Sequence, residues 1–206
     1  MKTNNGFMVP ILLGIIILLL VGGGTYIYKN KKAEAPDVQN QTSQVTNLKT
    51  YTNSKLGYSF QYPEKLSLSI SGETVNLSHS IPFENRDGGC DMKGDAELSK
   101  TLNDFGLSFR IVPGKVNPPY VDGTYSRGEL NGEFAYMGAE GCGVSDYYFP
   151  VLGGRTLIIT KNEIQVLSPI VTPEVRAKVL AVSGVISYEE SKIILDQILS
   201  SFKFTK

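Results

Sequence analysis

Tryptophan is absent from the 206-residue chain, histidine occurs once, at His79, and cysteine only twice, at Cys90 and Cys142. One imidazole and two thiols fall short of the four protein ligands of a structural zinc site. As a general base His79 needs a nucleophile and an orienting group. The spacing supplies neither, so His79 reads as a structural or surface residue, and Ser78 and Ser80 as ordinary strand-end hydroxyls. The phosphate-loop pattern G-x-x-x-x-G-K-[ST] and the nucleophile-elbow pattern G-x-S-x-G do not occur. No catalytic residue and no cofactor is assigned, and the chain is read as a non-enzyme. A hydrolase with a dispersed site stays as an alternative.

Charge is also scarce where it would matter. Lys2, Lys29, Lys31 and Lys32 stand in the first 32 residues, which hold no acid. The rest of the chain is left with 16 basic against 20 acidic residues, a net of −4. It has no lysine or arginine cluster. Nucleic acid is therefore excluded as a partner, since a basic patch dominates such binding.

What the sequence does have is an uncharged apolar run. Residues 7–28 read FMVPILLGIIILLLVGGGTYIY. As a helix they reach roughly 33 Å, enough for a hydrocarbon core of about 30 Å. Tyr26 and Tyr28 fall at the interface, and Lys29, Lys31 and Lys32 close the run. This reads as a single transmembrane anchor whose partner is the lipid bilayer. A cleaved signal peptide is the alternative. A pilin-like start after Gly6 is a further one, although Ile11 stands where pilins carry a glutamate.

Orientation draws on opposed signals. Three lysines after the span favour a cytoplasmic domain by the positive-inside rule. The very short N-terminal flank and the paired cysteines favour the outside. The reading adopted is a single-pass protein of the cytoplasmic membrane with an extracytoplasmic domain. Its parts are a flank (1–6), the anchor (7–28), a flexible polar linker (29–52) and a soluble α+β domain (53–206).

Within the domain, period-two alternation marks strands. Tyr58, Phe60 and Tyr62 alternate with polar residues, as do Leu66, Leu68 and Ile70. With Val75 and Leu77 these make a three-strand meander. A short helix is expected over 96–103. A strand follows over 105–112, with Phe105, Leu107, Phe109 and Ile111 on one face. Asn131-Gly132 is the strongest hairpin signal, between strands 125–130 and 133–137. Gly153-Gly154 marks a second hairpin. Leu157-Ile158-Ile159 are consecutive, which suits a central strand. Thr172-Pro173-Glu174 starts one helix. Ser187 to Glu190 forms a capping box for another, which carries Ile194, Ile198 and Phe202 on its apolar stripe. Phe202-Lys203-Phe204 ends the fold as an edge strand. The sum is an α+β fold, an antiparallel sheet packed with helices and preceded by the anchor.

Cys90 and Cys142 are each expected in a glycine-flanked loop, and the reading pairs them in a disulfide. On the chain-entropy model a loop of that size contributes roughly 4 kcal/mol. Two unrelated buried thiols are the alternative. The acids Asp87, Asp91 and Asp95 surround Cys90 and are weak calcium candidates whose spacing does not match an EF-hand loop. A solvated acidic loop is the bland reading, and no metal is assigned. The tyrosines Tyr120, Tyr125, Tyr136, Tyr147 and Tyr148 belong mostly to strand faces, with outward ones available for a binding surface.

Two stretches resemble a known family. Residues 51–63, YTNSKLGYSFQYP, resemble the opening strand of PsbP-like domains, the superfamily of the photosystem II extrinsic subunit P. Residues 194–204, ILDQILSSFKF, are similar to their closing helix and strand. The resemblance implies an antiparallel sheet flanked by helices. It also implies a non-enzymatic domain that docks on a larger assembly, hence a protein partner. It assigns no functional residue. The function expected is a tethered binding or assembly module, with a structural envelope or pilus-like subunit as the alternative.

Overall fold

The computed structural model describes residues 47–84 and 100–204, all within the unit Val45–Lys206. The anchor expected at 7–28, most of the linker, Cys90 and the acids Asp87, Asp91 and Asp95 lie outside the described residues. Among the described residues no helix is long and apolar enough to cross a membrane.

The described chain forms ten strands and two helices, with every strand pair antiparallel. The strands are β1 (Leu48–Asn53), β2 (Tyr58–Pro63), β3 (Ser67–Ser71), β4 (Thr74–Pro82) and β5 (Thr101–Pro113), then β6 (Gly123–Arg127), β7 (Leu130–Ala139), β8 (Cys142–Val151), β9 (Arg155–Glu163) and β10 (Lys203–Phe204). The helices are α1 (Pro173–Leu180) and α2 (Tyr188–Ser201). A large sheet runs β3-β4-β5-β9-β8-β7-β6, and a small one β1-β2-β10. The fold is α+β, mostly antiparallel sheet with two helices, as the alternation implied.

Phe105, Leu107, Phe109 and Ile111 on β5 line the inner face of the large sheet, with Leu157 and Ile159 of β9 and Phe149 of β8. Tyr58 and Phe60 of β2, with Ile194, Ile198, Leu199 and Phe202 on or next to α2, form the opposing layer of one core. The Phe60 ring stacks on Phe109 at 4.6 Å, and Tyr58 stacks on Phe202 at 5.2 Å. Burying each such ring is worth about 2–3 kcal/mol. β9 is central, as its three consecutive apolar residues required, and β10 is an edge strand on β2.

Four expectations need correction. The first strands do not make one meander: β2 leaves for the small sheet while β3 and β4 stay in the large one. Alternation marks a strand, not the neighbour it pairs with, and in β3 it did not mark a buried face either, since Ile70 is 58% exposed. The linker ends earlier than residue 52, because Leu48–Asn53 pairs with β2 from Leu48↔Pro63 to Asn53↔Tyr58. Its one aromatic, Tyr51, lies 5.3 Å from the Phe60 ring, and a lone inward ring gives periodicity nothing to count. Residues 101–103 of the expected short helix are strand. The hairpin expected at Asn131-Gly132 turns instead at Gly128-Glu129, since Arg127 pairs with Leu130.

The helix signals fared better. Ser187 Oγ accepts the Glu190 backbone N–H at 3.1 Å, a genuine N-cap, while the Glu190 carboxylate pairs with Lys65. Thr172 precedes Pro173 as expected but makes no side-chain cap.

Tyr58 carries a testable liability. Its side chain is fully buried, and its hydroxyl makes no hydrogen bond of good geometry among the described residues, although Asn53 and the Tyr51 phenol lie near it. Burial pushes its pKa up to about 12, with the Tyr51 phenol adding to the rise. In the unfolded chain a tyrosine titrates near 10. The unfolded state therefore loses its proton first, so this contribution is intact below pH ~10 and drains away as the pH climbs to ~12. Tyr58→Phe removes both the orphan hydroxyl and the titration. We expect it to gain about 1 kcal/mol at neutral pH and to move the alkaline unfolding midpoint upward, followed by circular dichroism.

Candidate functional site

Two polar regions stand out, one on each face of the large sheet. On the inner face the apolar rows give way to a buried polar seam under the start of α2. Asp104, whose side chain is fully buried, holds His79 Nδ1 at 2.7 Å through Oδ1 and accepts the Ile186 N–H at 2.7 Å through Oδ2. The register slips between His79 and Ile81, so residues 103 and 104 bulge opposite Ser80. Such a bulge re-aims a side chain, and Asp104 lies buried beside its neighbour Phe105. A few residues away, Glu163 accepts from Ser145 Oγ at 2.7 Å and from Lys161 Nζ at 2.9 Å. The Lys161 ammonium also lies 5.8 Å from the centre of the Tyr188 ring.

The seam is filled. The space between Asp104, Lys161, Glu163, Tyr188 and Ser191 is about 10 Å³, the room one water needs. His79 has the orienting carboxylate that the sequence did not reveal, 25 residues away. No serine or cysteine nucleophile is bonded to its ring among the described residues. The geometry staples β4, β5 and the entry to α2, and leaves no room for a substrate.

The outer face carries a groove. β5 and β6 lie four strand positions apart, so the connection through residues 114–122 must cross the sheet. It runs as a strap pinned at both ends. Thr156 Oγ1 donates to Gly114 O and accepts from Val116 N, each at 2.9 Å. At the far end, Asp122 Oδ2 accepts the Tyr136 N–H at 2.7 Å, and the Tyr120 hydroxyl donates to the Tyr136 carbonyl. Between strap and strands lies a cavity of about 290 Å³, lined by Lys115, Val116, Asn117, Thr124, Asn131, Gly132, Glu133, Tyr148 and Pro150.

Register explains why these residues meet. Thr124, Glu133 and Tyr148 are direct cross-strand partners on β6, β7 and β8, and Asn131 sits near Pro150 one row on. Tyr148 is the floor. Its hydroxyl reaches toward Asp146 Oδ2 at 3.4 Å, and Asp146 takes its firmer bond from Thr160 at 2.5 Å. Burial first, then the Asp146 charge, raises the Tyr148 pKa, keeping it a neutral phenol at physiological pH.

Thr156→Val tests the strap. Gly114 O and Val116 N both lose their partner, at a cost of about 1–2 kcal/mol. We expect faster amide exchange at Val116 with the sheet amides unchanged.

The residues singled out from sequence fall elsewhere. Cys142 is buried and opens β8, directly after the Glu140-Gly141 turn, rather than sitting in a loop. Its expected partner Cys90, like the acids around it, is outside the described residues. Of the tyrosines considered for a binding surface, Tyr148 floors the groove and Tyr120 pins the strap. Tyr125 and Tyr147 meet at 4.9 Å within the domain, and Tyr136 donates to the Cys142 carbonyl. The other groove residues had no signal for a site: Lys115, Asn117, Thr124 and Glu133 read as ordinary polar surface, and Asn131 as a turn residue.

No protein-family model matches the chain, and no curated protein matches it. Among solved structures, a protein of Bacteroides thetaiotaomicron VPI-5482, determined by crystallography at 1.50 Å, is similar at 8% identity and a TM-score of 0.40. The match covers 77% of this chain and 48% of that one, so the chain spans about half the length of that protein.

Proposed function

We propose that this chain is a membrane-anchored, extracytoplasmic binding or assembly module, held by residues 7–28 and binding through the strap groove. The observation that carries the reading is the groove itself: a cavity of about 290 Å³ on a rigid sheet, walled by a pinned strap. Sites of this kind present a few oriented polar groups around an apolar floor. The apolar run near the start supplies the membrane attachment, and the PsbP-like resemblance supports a docking role without chemistry. A Cys90–Cys142 disulfide belongs to the same reading, because an oxidising compartment is where such a bridge persists. Mass spectrometry of the unreduced protein, showing no free thiol, is the expected result.

A membrane-impermeant amine reagent tests both placement and groove. In intact cells it should label Lys55, which lies in the β1–β2 turn with its side chain 78% exposed beside Glu73. Lys115 should label several-fold less in cells than in purified full-length protein, because its groove is occupied. Silence at Lys55 in intact cells sinks the extracytoplasmic placement. Equal labelling of Lys115 in both settings sinks the groove as the binding site.

A further inference from the structure

We propose that the strap groove is a saccharide site, taking a neutral sugar unit that bears hydroxyl and amide groups. The inference rests on the groove being the binding site and adds the class of ligand.

Hydrogen-bonding capacity is the first argument. Lys115 offers only donors, and Glu133 only acceptors. The amides of Asn117 and Asn131 and the Thr124 hydroxyl offer both. These five residues are exposed and none of their side chains is engaged by another described residue, so a ligand would displace only water from them. Each sugar hydroxyl donates one bond and accepts others, and therefore needs donors and acceptors interleaved within one small space. A ligand with only acceptors, such as a phosphate, would leave Glu133 opposed and unpaired.

Charge and shape agree. Lys115 and Glu133 offset each other, so a net-charged ligand gains nothing from the groove's own field. Val116, Pro150 and the Tyr148 ring supply the apolar contact that the C–H face of a sugar ring uses. About 290 Å³ suits one or two rings and is at the small end for a ligand pocket. An extended peptide over β7 and β8 is disfavoured, because each is paired on both sides. β6, the last strand of the sheet, keeps one free edge, so a peptide added there is the rival that the trialanine arm tests.

The test is calorimetric titration of the full-length protein in detergent with three probes: chitotriose, maltotriose and trialanine. Binding of at least one saccharide is expected. Asn131→Ala and Glu133→Ala should each weaken it about tenfold, with near-ultraviolet circular dichroism unchanged. Ser54→Ala, in the β1–β2 turn, should bind like the parent. Three outcomes overturn the inference: no heat from either saccharide at millimolar concentration, saccharide binding indifferent to Asn131→Ala and Glu133→Ala, or trialanine competing for the site. If Lys115 is protected in cells while both saccharides fail, the ligand class is wrong and the binding site stands. If Lys115 is also unprotected, both fall.

Discussion

Asp104→Leu is expected to cost about 3–5 kcal/mol of stability, enough to unfold a marginal domain. The leucine fits the space but accepts nothing. The buried Ile186 N–H would lose the acceptor it has among the described residues, and His79 would lose the carboxylate at 2.7 Å. Leaving a buried donor unsatisfied costs more than the bond was worth. Asp104→Asn separates the two roles. An amide oxygen can still receive the Ile186 N–H, so we expect a smaller loss of about 1–2 kcal/mol. Denaturant unfolding of the two variants should rank leucine well below asparagine. A leucine variant within 1 kcal/mol of the parent would show that the carboxylate does not tie α2 to the sheet. The same experiment speaks to chemistry: if His79 and Asp104 are a staple, the damage appears in stability.

How much of this was legible follows from what each signal measures. The inner face of β5 was readable because four apolar residues alternate without interruption from Phe105 to Ile111. β9 was readable because Leu157-Ile158-Ile159 can only be buried on both sides. The helix starts were readable because Ser187 and Pro173 are local chemistry. Sheet membership was not: Tyr58-x-Phe60 and Leu68-x-Ile70 carry the same pattern yet join different sheets, and pairing is decided by partners far along the chain. The Asp104–His79 pair was hidden because a bulge between His79 and Ile81 turns the carboxylate inward, and bulges leave no periodic trace. The groove was hidden for a different reason. Its walls are a strap, residues 114–122, laid over strand positions that ought to face water, so nothing in the local sequence sets Glu133 apart, and Asn131 stood out only as a turn residue.

Gly132→Ala should be among the most damaging single changes in the domain, costing about 3 kcal/mol or more. An added Cβ would sit 2.0 Å from the Tyr148 carbonyl oxygen and 2.9 Å from Phe149 Cδ1. Both belong to β8, whose backbone is fixed by β7 on one side and β9 on the other, so neither can retreat cheaply. This is a glycine used for close approach of two backbones. Had Asn131-Gly132 been the turn, alanine there would have met open solvent and cost only the backbone strain of a positive φ. The turn is made instead at Gly128, with φ +56° and Glu129 following, the pattern of a two-residue hairpin with glycine in its first central position. That register leaves Leu130 at the start of β7 in the core, and it brings Tyr125 to 4.9 Å from Tyr147. Gly128→Ala is the companion measurement. It pays for left-handed backbone and for a carbonyl of Ser200 at 2.9 Å, about 1–3 kcal/mol. If alanine at 132 were tolerated, the β7–β8 register would be wrong, and with it the row of Thr124, Glu133 and Tyr148 that builds the groove.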